Sequence, residues 1–351
     1  MKCIQVLIYS LFVSASVLLA GPSLKVICKL DQRPGNPAVT PDGTVYISMH
    51  PFDQPEFKIM ILKSGKAVPY PNEEVSKNHA AVIGIQATQD GALWWMDMGN
   101  QDISPKLVGW DTRNNRLKAI HVIPKEVRVA NSFLQDFAID EKRQRVFVAD
   151  MSRGNLIDKS EPAIIVLDLS TGQTRRVLSG HPFYQPDESP IIAEGKAMQT
   201  KDANGFVYPI KLGLNPIAID PENEWVYFST MTAGKLYRVP SEILGDYAKS
   251  DEEIESKIET YGDKPSSDGI AAGENGVVYV TNVDENAISM MDDSGTKTWI
   301  KDDKQLIWPD AAYIAPDKSV VVTVNQLNRA PAFNDGKSLA EKPYTVVRIK
   351  E

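Results

Sequence analysis

The chain has 351 residues, a formal net charge of −8, a 42% hydrophobic fraction and two cysteines. That acidic balance argues against nucleic acid or an anionic membrane surface as the main partner, since both would repel it. The apolar fraction supports one large β domain or two smaller domains, and the abundance of aromatic and β-branched residues excludes global disorder.

The first twenty residues, MKCIQVLIYSLFVSASVLLA, set one lysine before a run that is nearly all apolar or small. This is the layout of a secretory signal peptide cleaved after about Ala20, leaving residues 21–351 as the mature domain. A single membrane anchor is the alternative, but the run is short for a span. The expected location is secreted or periplasmic, free of the membrane once cleaved. Cleavage removes Cys3, so Cys28 has no internal disulfide partner and reads as a buried apolar residue.

Residues 24–30 (LKVICKL) form a strand candidate with no neighbouring partner in sequence, and residues 344–350 (YTVVRIK) form another at the far end. Between them one phrase recurs six times: NPAVTPDGTVYIS at 36–48, GIQATQDGALWWMD at 84–97, DFAIDEKRQRVFVAD at 136–150, NPIAIDPENEWVYFST at 215–230, DGIAAGENGVVYVTN at 268–282 and DAAYIAPDKSVVVTVN at 310–325. Each copy is an apolar run, a polar turn and a β-branched or aromatic run, which predicts a hairpin. Four copies lead into two further strand candidates: residues 57–62 and 66–70, 106–110 and 116–123, 163–169 and 173–178, and 287–291 and 297–301. Four strands in about 45–50 residues is the size of a propeller blade. The predicted fold is all-β, a six-bladed β-propeller, with the N-terminal strand pairing into the C-terminal blade so that no edge stays open.

Two segments depart from the repeat. An insertion over residues 180–214, rich in Pro, Gly and charge, separates the third and fourth copies; a loop this long is either functional or a solvated excursion. In the fourth unit, SDEEIESKIETYG at 250–262 offers Ser250 and Glu253 as a capping box and Gly262 as a stop, predicting a surface helix over 250–261.

The chain has no GxSxG elbow, no Gly-rich phosphate loop and no CxxC pair. Its four histidines, His50, His79, His121 and His181, show no metal-binding spacing, and His121 reads as a surface residue. The informative positions stand just before each innermost strand, at the mouth of the central channel: Gly35, Ile83, Gln135, Asn215, Asp268 and Asp310, with Asn36 and Asp136 one residue further on. Converging carboxylates and amides suit calcium or another divalent cation, and equally an amine or polyol ligand. Taken singly, each is also an ordinary strand-start or turn residue. Trp94 and Trp95 are adjacent in one strand and face opposite sides, so one of them belongs in the core. Phe183, Tyr184, Trp308 and Phe333 fall on loops or strand ends where they could wall a pocket. The ligand-site candidates are Gln135, Asp136, Asn215, Asp268, Asp310, His181, Tyr184 and Trp308. No residue is assigned as catalytic.

Four phrases carry a family resemblance: RVLSGHPFYQPD at 176–187, LGLNPIAIDPENEWVYFST followed by KLYRVPSEIL across 212–244, KPSSDGIAAGENGVVYVTNVDENAI at 264–288 and WPDAAYIAPDKSVVVTVNQLNR at 308–329. Together they resemble the major royal jelly protein/yellow family in its bacterial form, over most of residues 24–350. The resemblance implies a secreted six-bladed propeller; some insect members resemble binders of small amines at the channel mouth, and others are linked to melanin-pathway chemistry. A looser resemblance is to the gluconolactonase/senescence-marker propellers, where a Glu, an Asn and an Asp hold a divalent metal. Asn215 and Asp268 stand where that Asn and Asp would, and Gly35-Asn36 stands in place of the Glu.

Three readings follow. The chain is a secreted, monomeric propeller that binds a small polar or aromatic ligand such as an amine; or a divalent-metal-dependent hydrolase of lactones or esters; or a scaffold that binds protein through its loop-rich face.

Overall fold

The computed structural model describes residues 21–152, 160–186 and 188–351, and the expected signal peptide lies outside them. Each copy of the repeated phrase folds as an antiparallel hairpin. In blades 1 to 6 the innermost strands are Pro34–Val39, Val82–Ala87, Leu134–Asp140, Leu214–Ile219, Ile270–Ala272 and Pro309–Ile314. Each pairs with the strand that follows it, and every blade is a four-stranded sheet. In blade 6 the third strand is Tyr344–Lys350 and the outermost is Ser23–Leu30, paired from Ser23 opposite Lys350 to Leu30 opposite Tyr344. The first strand thus closes the ring as the sequence predicts. Among the described residues no helix is long and apolar enough to cross a membrane.

A propeller blade is covered on both faces by its neighbours, so its middle strands are apolar on both sides. Trp94 and Trp95 show this directly: both are buried, not one. Trp95 donates through Nε1 to His79 Nε2 at 3.2 Å and packs beside Trp110 toward blade 1. Trp94 faces blade 3, lies over Gly109 and stacks on His121 with ring centroids 6.4 Å apart. That stacking makes His121 half-buried rather than a free surface residue. Cys28 is buried between blades 6 and 1, as expected.

The helix predicted over 250–261 is shorter than expected. The capping box forms, with Ser250 Oγ accepting from Glu253 N–H and the Glu253 carboxylate accepting from Ser250 N–H, but the helix covers only Asp251–Glu255. The chain then extends as Glu259–Lys264, the outermost strand of blade 4, with Gly262 opposite Leu236 in the ladder rather than at a helix end. A five-residue helix gains little by itself, whereas the unpaired edge of Gly234–Pro240 offers Glu259–Lys264 a row of backbone hydrogen bonds.

The insertion builds two small hairpins, Ile192–Ala193 with Lys196–Ala197 and Gln199–Lys201 with Val207–Pro209. Its apolar residues Ile191, Ala193, Met198, Ile210 and Leu212 pack on Met151, Met231, Val283, Trp308 and Leu327. Three of those partners directly follow the second strands of blades 3, 4 and 5. Glu194 then holds Arg329 at 2.6 and 2.8 Å and Asn328 at 2.8 Å, while Thr200 Oγ1 donates to Ala332 O at 3.1 Å. The insertion leaves the ring between blades 3 and 4 and is fastened to the long loop of blade 6. In a ring of six it therefore crosses the channel axis, at the end where the innermost strands begin.

At that end the innermost strands nearly touch. A Cβ on Gly84 would stand 2.9 Å from Gln135 O, and one on Gly269 would stand 2.7 Å from Asp310 O and 2.8 Å from Ala311 Cα. Backbone cannot yield as a flexible side chain can. Gly269→Ala is therefore expected to lower stability by about 1–3 kcal/mol, read as a drop in urea midpoint at constant m-value; an unchanged midpoint would show slack between blades 5 and 6.

Candidate ligand site at the closed end of the central channel

The start of the innermost strand is irregular in most blades. The pairing register shifts between Pro34 and Pro37, Val82 and Ile85, Leu134 and Asp136, Leu214 and Ile217, and Pro309 and Ala311. Bulges of this kind release a residue from the ladder and re-aim its side chain. The polar column foreseen in the sequence sits on these irregular segments, except for Asp268, which precedes the regular strand Ile270–Ala272 of blade 5.

One hydrogen bond crosses each blade boundary. Ser48 Oγ donates to Ile83 O at 2.5 Å, Gln86 Nε2 to Phe137 O at 3.2 Å, and Gln135 Nε2 to Asn215 O at 2.7 Å. Asn215 Nδ2 donates to Asp268 Oδ1 at 2.9 Å, Thr281 Oγ1 to Asp310 O at 3.4 Å, and Asn325 Nδ2 to Pro34 O at 3.2 Å. These contacts run from blade 1 through blade 6 and back to blade 1. The buried Arg33 reinforces the last junction, donating to Asn325 O and Tyr344 Oη at 3.1 Å each.

Inside this circle stand three carboxyl groups. Asp268 accepts from Asn215 Nδ2 and, through Oδ2, from Trp308 Nε1 at 2.8 Å. Asp310 lies within hydrogen-bonding reach of Asp268; burial, then the Asp268 charge, push the Asp310 carboxyl well above the usual range. Burial raises Asp268 too. Asp136 accepts from Phe137 N–H at 2.9 Å and from the Asn36 side chain, yet burial pushes it up to about 8. The residues two places further along their strands, Ala138, Ile270 and Ala312, line a cavity of about 960 Å³. Alanines form much of its wall, and it opens among the turns that carry Pro41, Glu141, Asn223, Glu274 and Lys318, at the opposite end of the propeller. The carboxyls themselves are not on the lining; they stand two residues before it, toward the end that the insertion crosses.

The structure brings together Gln135, Asp136, Asn215, Asp268, Asp310 and Trp308, although Gln135 serves the blade junction. It does not bring in two other candidates. His181 ion-pairs through Nε2 with Glu255 at 3.2 Å, on the small helix of blade 4. Tyr184 is fully buried between blades 3 and 4, edge-on to Phe228. Phe183 packs on Tyr237, and Phe333 joins the apolar cap. In each case a loop folds back onto its nearest blade, which a motif in one dimension does not reveal. Sequence reasoning missed Ser48, Thr281, Thr323 and Asn325. For Ser48, Thr281 and Thr323 the signal was a hydroxyl in the second strand, repeated at Ser229; Asn325 directly follows such a strand.

The donor set does not fit a divalent cation as arranged. Both Asp268 oxygens accept N–H groups, and Asn215 turns its Nδ2 rather than its oxygen toward Asp268. The Asp310 carboxyl is turned toward Asp268. Among the described residues no three His, Cys, Asp or Glu gather as a metal cluster. Calcium takes six to eight oxygen ligands, and here the Glu of the metal-binding propellers is replaced by Gly35-Asn36.

Fold and channel define a six-bladed propeller with a polar belt at one end and a deep channel behind it. Residues 80–334 match the model of the major royal jelly protein family, and the chain belongs to that family. No curated protein matches the sequence. Among solved structures, the fold is similar to a gluconolactonase from Xanthomonas campestris, at TM-score 0.57 and 11% identity over 93% of this chain and 89% of that one. It is also similar to regucalcin, a calcium-binding protein from Agrobacterium tumefaciens, at 0.56 and 15% over 94% and 95%. Identities this low show a shared fold.

A carboxyl whose native pKa is raised binds more protons folded than unfolded, so stability falls as pH climbs between the two values. For Asp136 that window runs from the ordinary carboxyl range to about 8. Asp136→Asn should flatten the decline, removing a slope of up to about 1.4 kcal/mol per pH unit. Urea unfolding of both proteins at pH 5, 6.5 and 8 measures it; parallel curves would mean that Asp136 is ionised in the folded state.

Proposed function

We propose that this protein binds a small organic cation in its central channel, with the charged group held by Asp268, Asp310 and Asp136. The observation that carries the reading is the gathering of three buried carboxyls two residues before the positions that line a cavity of about 960 Å³. Ligand pockets of several hundred Å³, mostly apolar and with a few convergent polar groups, are the usual form of a small-molecule site. A bound cation would take the place of the protons that burial favours on these carboxyls. Arg33, the buried cation near Asp310, is already engaged with Asn325 O, Tyr344 Oη and Asp53. Membership of the major royal jelly protein family is consistent with a ligand-binding role at the channel. Metal-dependent lactone hydrolysis is not advanced, because the donors do not fit the metal it requires. In an exported protein this site would act as a carrier or scavenger, and the alanine-rich wall leaves room for the organic part of the ligand.

The test is calorimetric titration and thermal shift with 2-phenylethylamine as the probe. Binding by the native chain and a loss of at least about tenfold in affinity for Asp268→Asn are expected. An Asp268→Asn protein that keeps its fold and binds the amine equally well would place the ligand elsewhere.

A further inference from the structure

Each blade ends in an outer strand, and the far edge of such a strand offers a row of N–H and C=O groups for pairing. Among the described residues, five of the six outer strands carry no exposed large apolar side chain. The sixth is Arg116–Val122 of blade 2, where Leu117, Ile120 and Val122 are 49%, 50% and 53% exposed.

The register puts all three on one face. Ile120 stands opposite Val108, which packs toward blade 1, and Val122 lies two residues further along. A bulge between Gly109 and Trp110 inserts Lys118 into the outer strand. Leu117 therefore stands opposite Trp110 and shares the face of Ile120. Without the extra residue it would alternate to the side of Ala119, which packs toward blade 3. The result is an apolar stripe along an open sheet edge.

Proteins usually guard such an edge with charge, lysine above all. Here the nearby cations are held by the chain itself. Lys118 ion-pairs with Asp90 and lies 5.8 Å from the centre of the Trp94 ring. Arg116 pairs with Asp111 at 3.4 Å, and Lys106, opposite Val122, pairs with the buried Asp97 at 2.8 Å.

We propose that this edge pairs with the same edge of a second copy, in place of the monomer expected from the sequence. Two copies of blade 2 then form one antiparallel eight-stranded sheet across a two-fold axis at Ile120. A two-fold axis perpendicular to the sheet keeps the same face uppermost in both copies, so stripe continues into stripe. Ile120 then stands opposite its own copy, Lys118 opposite Val122 and Ala119 opposite His121. No like charges are opposed, an arrangement that would destabilise the pair. A second copy fits better than a charged partner strand, which would find the cations of this edge already paired. The strand pair covers less than a standard interface, below about 1,200 Å² in total, so the dimer is weak and forms in the micromolar range. The inference is independent of the channel, which lies at the axis of the ring while this edge lies at its rim.

Sedimentation velocity of the mature chain across the micromolar range tests it. A reversible shift from monomer to dimer is expected for the native chain, and its loss for Ile120→Lys, with the thermal midpoint unchanged because the position is half exposed. Ile120→Cys is the second variant. Residues directly opposed across a two-fold axis are close enough for a disulfide, so oxidised glutathione should join two copies covalently. Leu339→Cys, equally exposed on the loop of blade 6, should not cross-link, and the buried Cys28 does not compete. A native chain that stays monomeric throughout the range would overturn the proposal. So would a dimer that survives Ile120→Lys, because its interface would lie elsewhere.

Discussion

Six hydrogen bonds, one across each blade boundary, form a closed circle at the narrow end of this propeller, and the rest of the molecule is arranged around it. The innermost strands approach so closely there that Gly84 and Gly269 leave no room for a Cβ. Polar side chains bridge the blade boundaries there by hydrogen bonds. Ser48 and Thr281 do so with hydroxyls, and Gln86, Gln135, Asn215 and Asn325 do so with amides. Each bond is modest by itself, about 0.5–1.5 kcal/mol net. Their value lies in geometry, because the loss of one leaves a buried partner unsatisfied. The circle ends at the junction of blades 6 and 1, which the N-terminal strand and Arg33 also hold.

The same crowding accounts for the electrostatics. Bulges at the strand starts turn Gln135 and Asp310 out of the ladder while Asp136 stays paired opposite Ala149, and the blades bury all three. Burial this deep raises the proton affinity of all three carboxyls, and the Asp268 charge raises that of Asp310 further. Over this end the insertion lays an apolar cap, fastened by Glu194 to Arg329, so the channel behind the carboxyls opens on the opposite face. A propeller mouth flanked by long loops would ordinarily be taken as the entrance. Here it is the closed end.

Much of the fold was legible in one dimension. Six copies of a hairpin phrase and two orphan strands specify a closed six-bladed ring, because alternation and turn residues act locally. The expectation failed where tertiary pairing outweighs local preference. Ser250 and Glu253 do start a helix, but the open edge beside them draws residues 259–264 into a strand. Trp94 and Trp95 look like one core and one surface residue until neighbouring blades cover both.

The candidate site divides in the same way. The column through Gln135, Asn215, Asp268 and Asp310 followed from the sequence alone, because each stands at a fixed offset from its turn. Which members hold the blades together and which present free acceptors is decided only in three dimensions, since both uses draw on the same residue types. His181 and Tyr184 share a loop phrase, HPFY, that reads as a channel wall, yet the chain folds it against blade 4. The sequence by itself determined the ring, its closure and the positions nearest the axis, all products of local periodicity. Only the tertiary structure decided how deeply the carboxyls are buried, that Asp268 and Asp310 meet, and which end of the channel is open, because each depends on chain segments more than forty residues apart coming together in the ring.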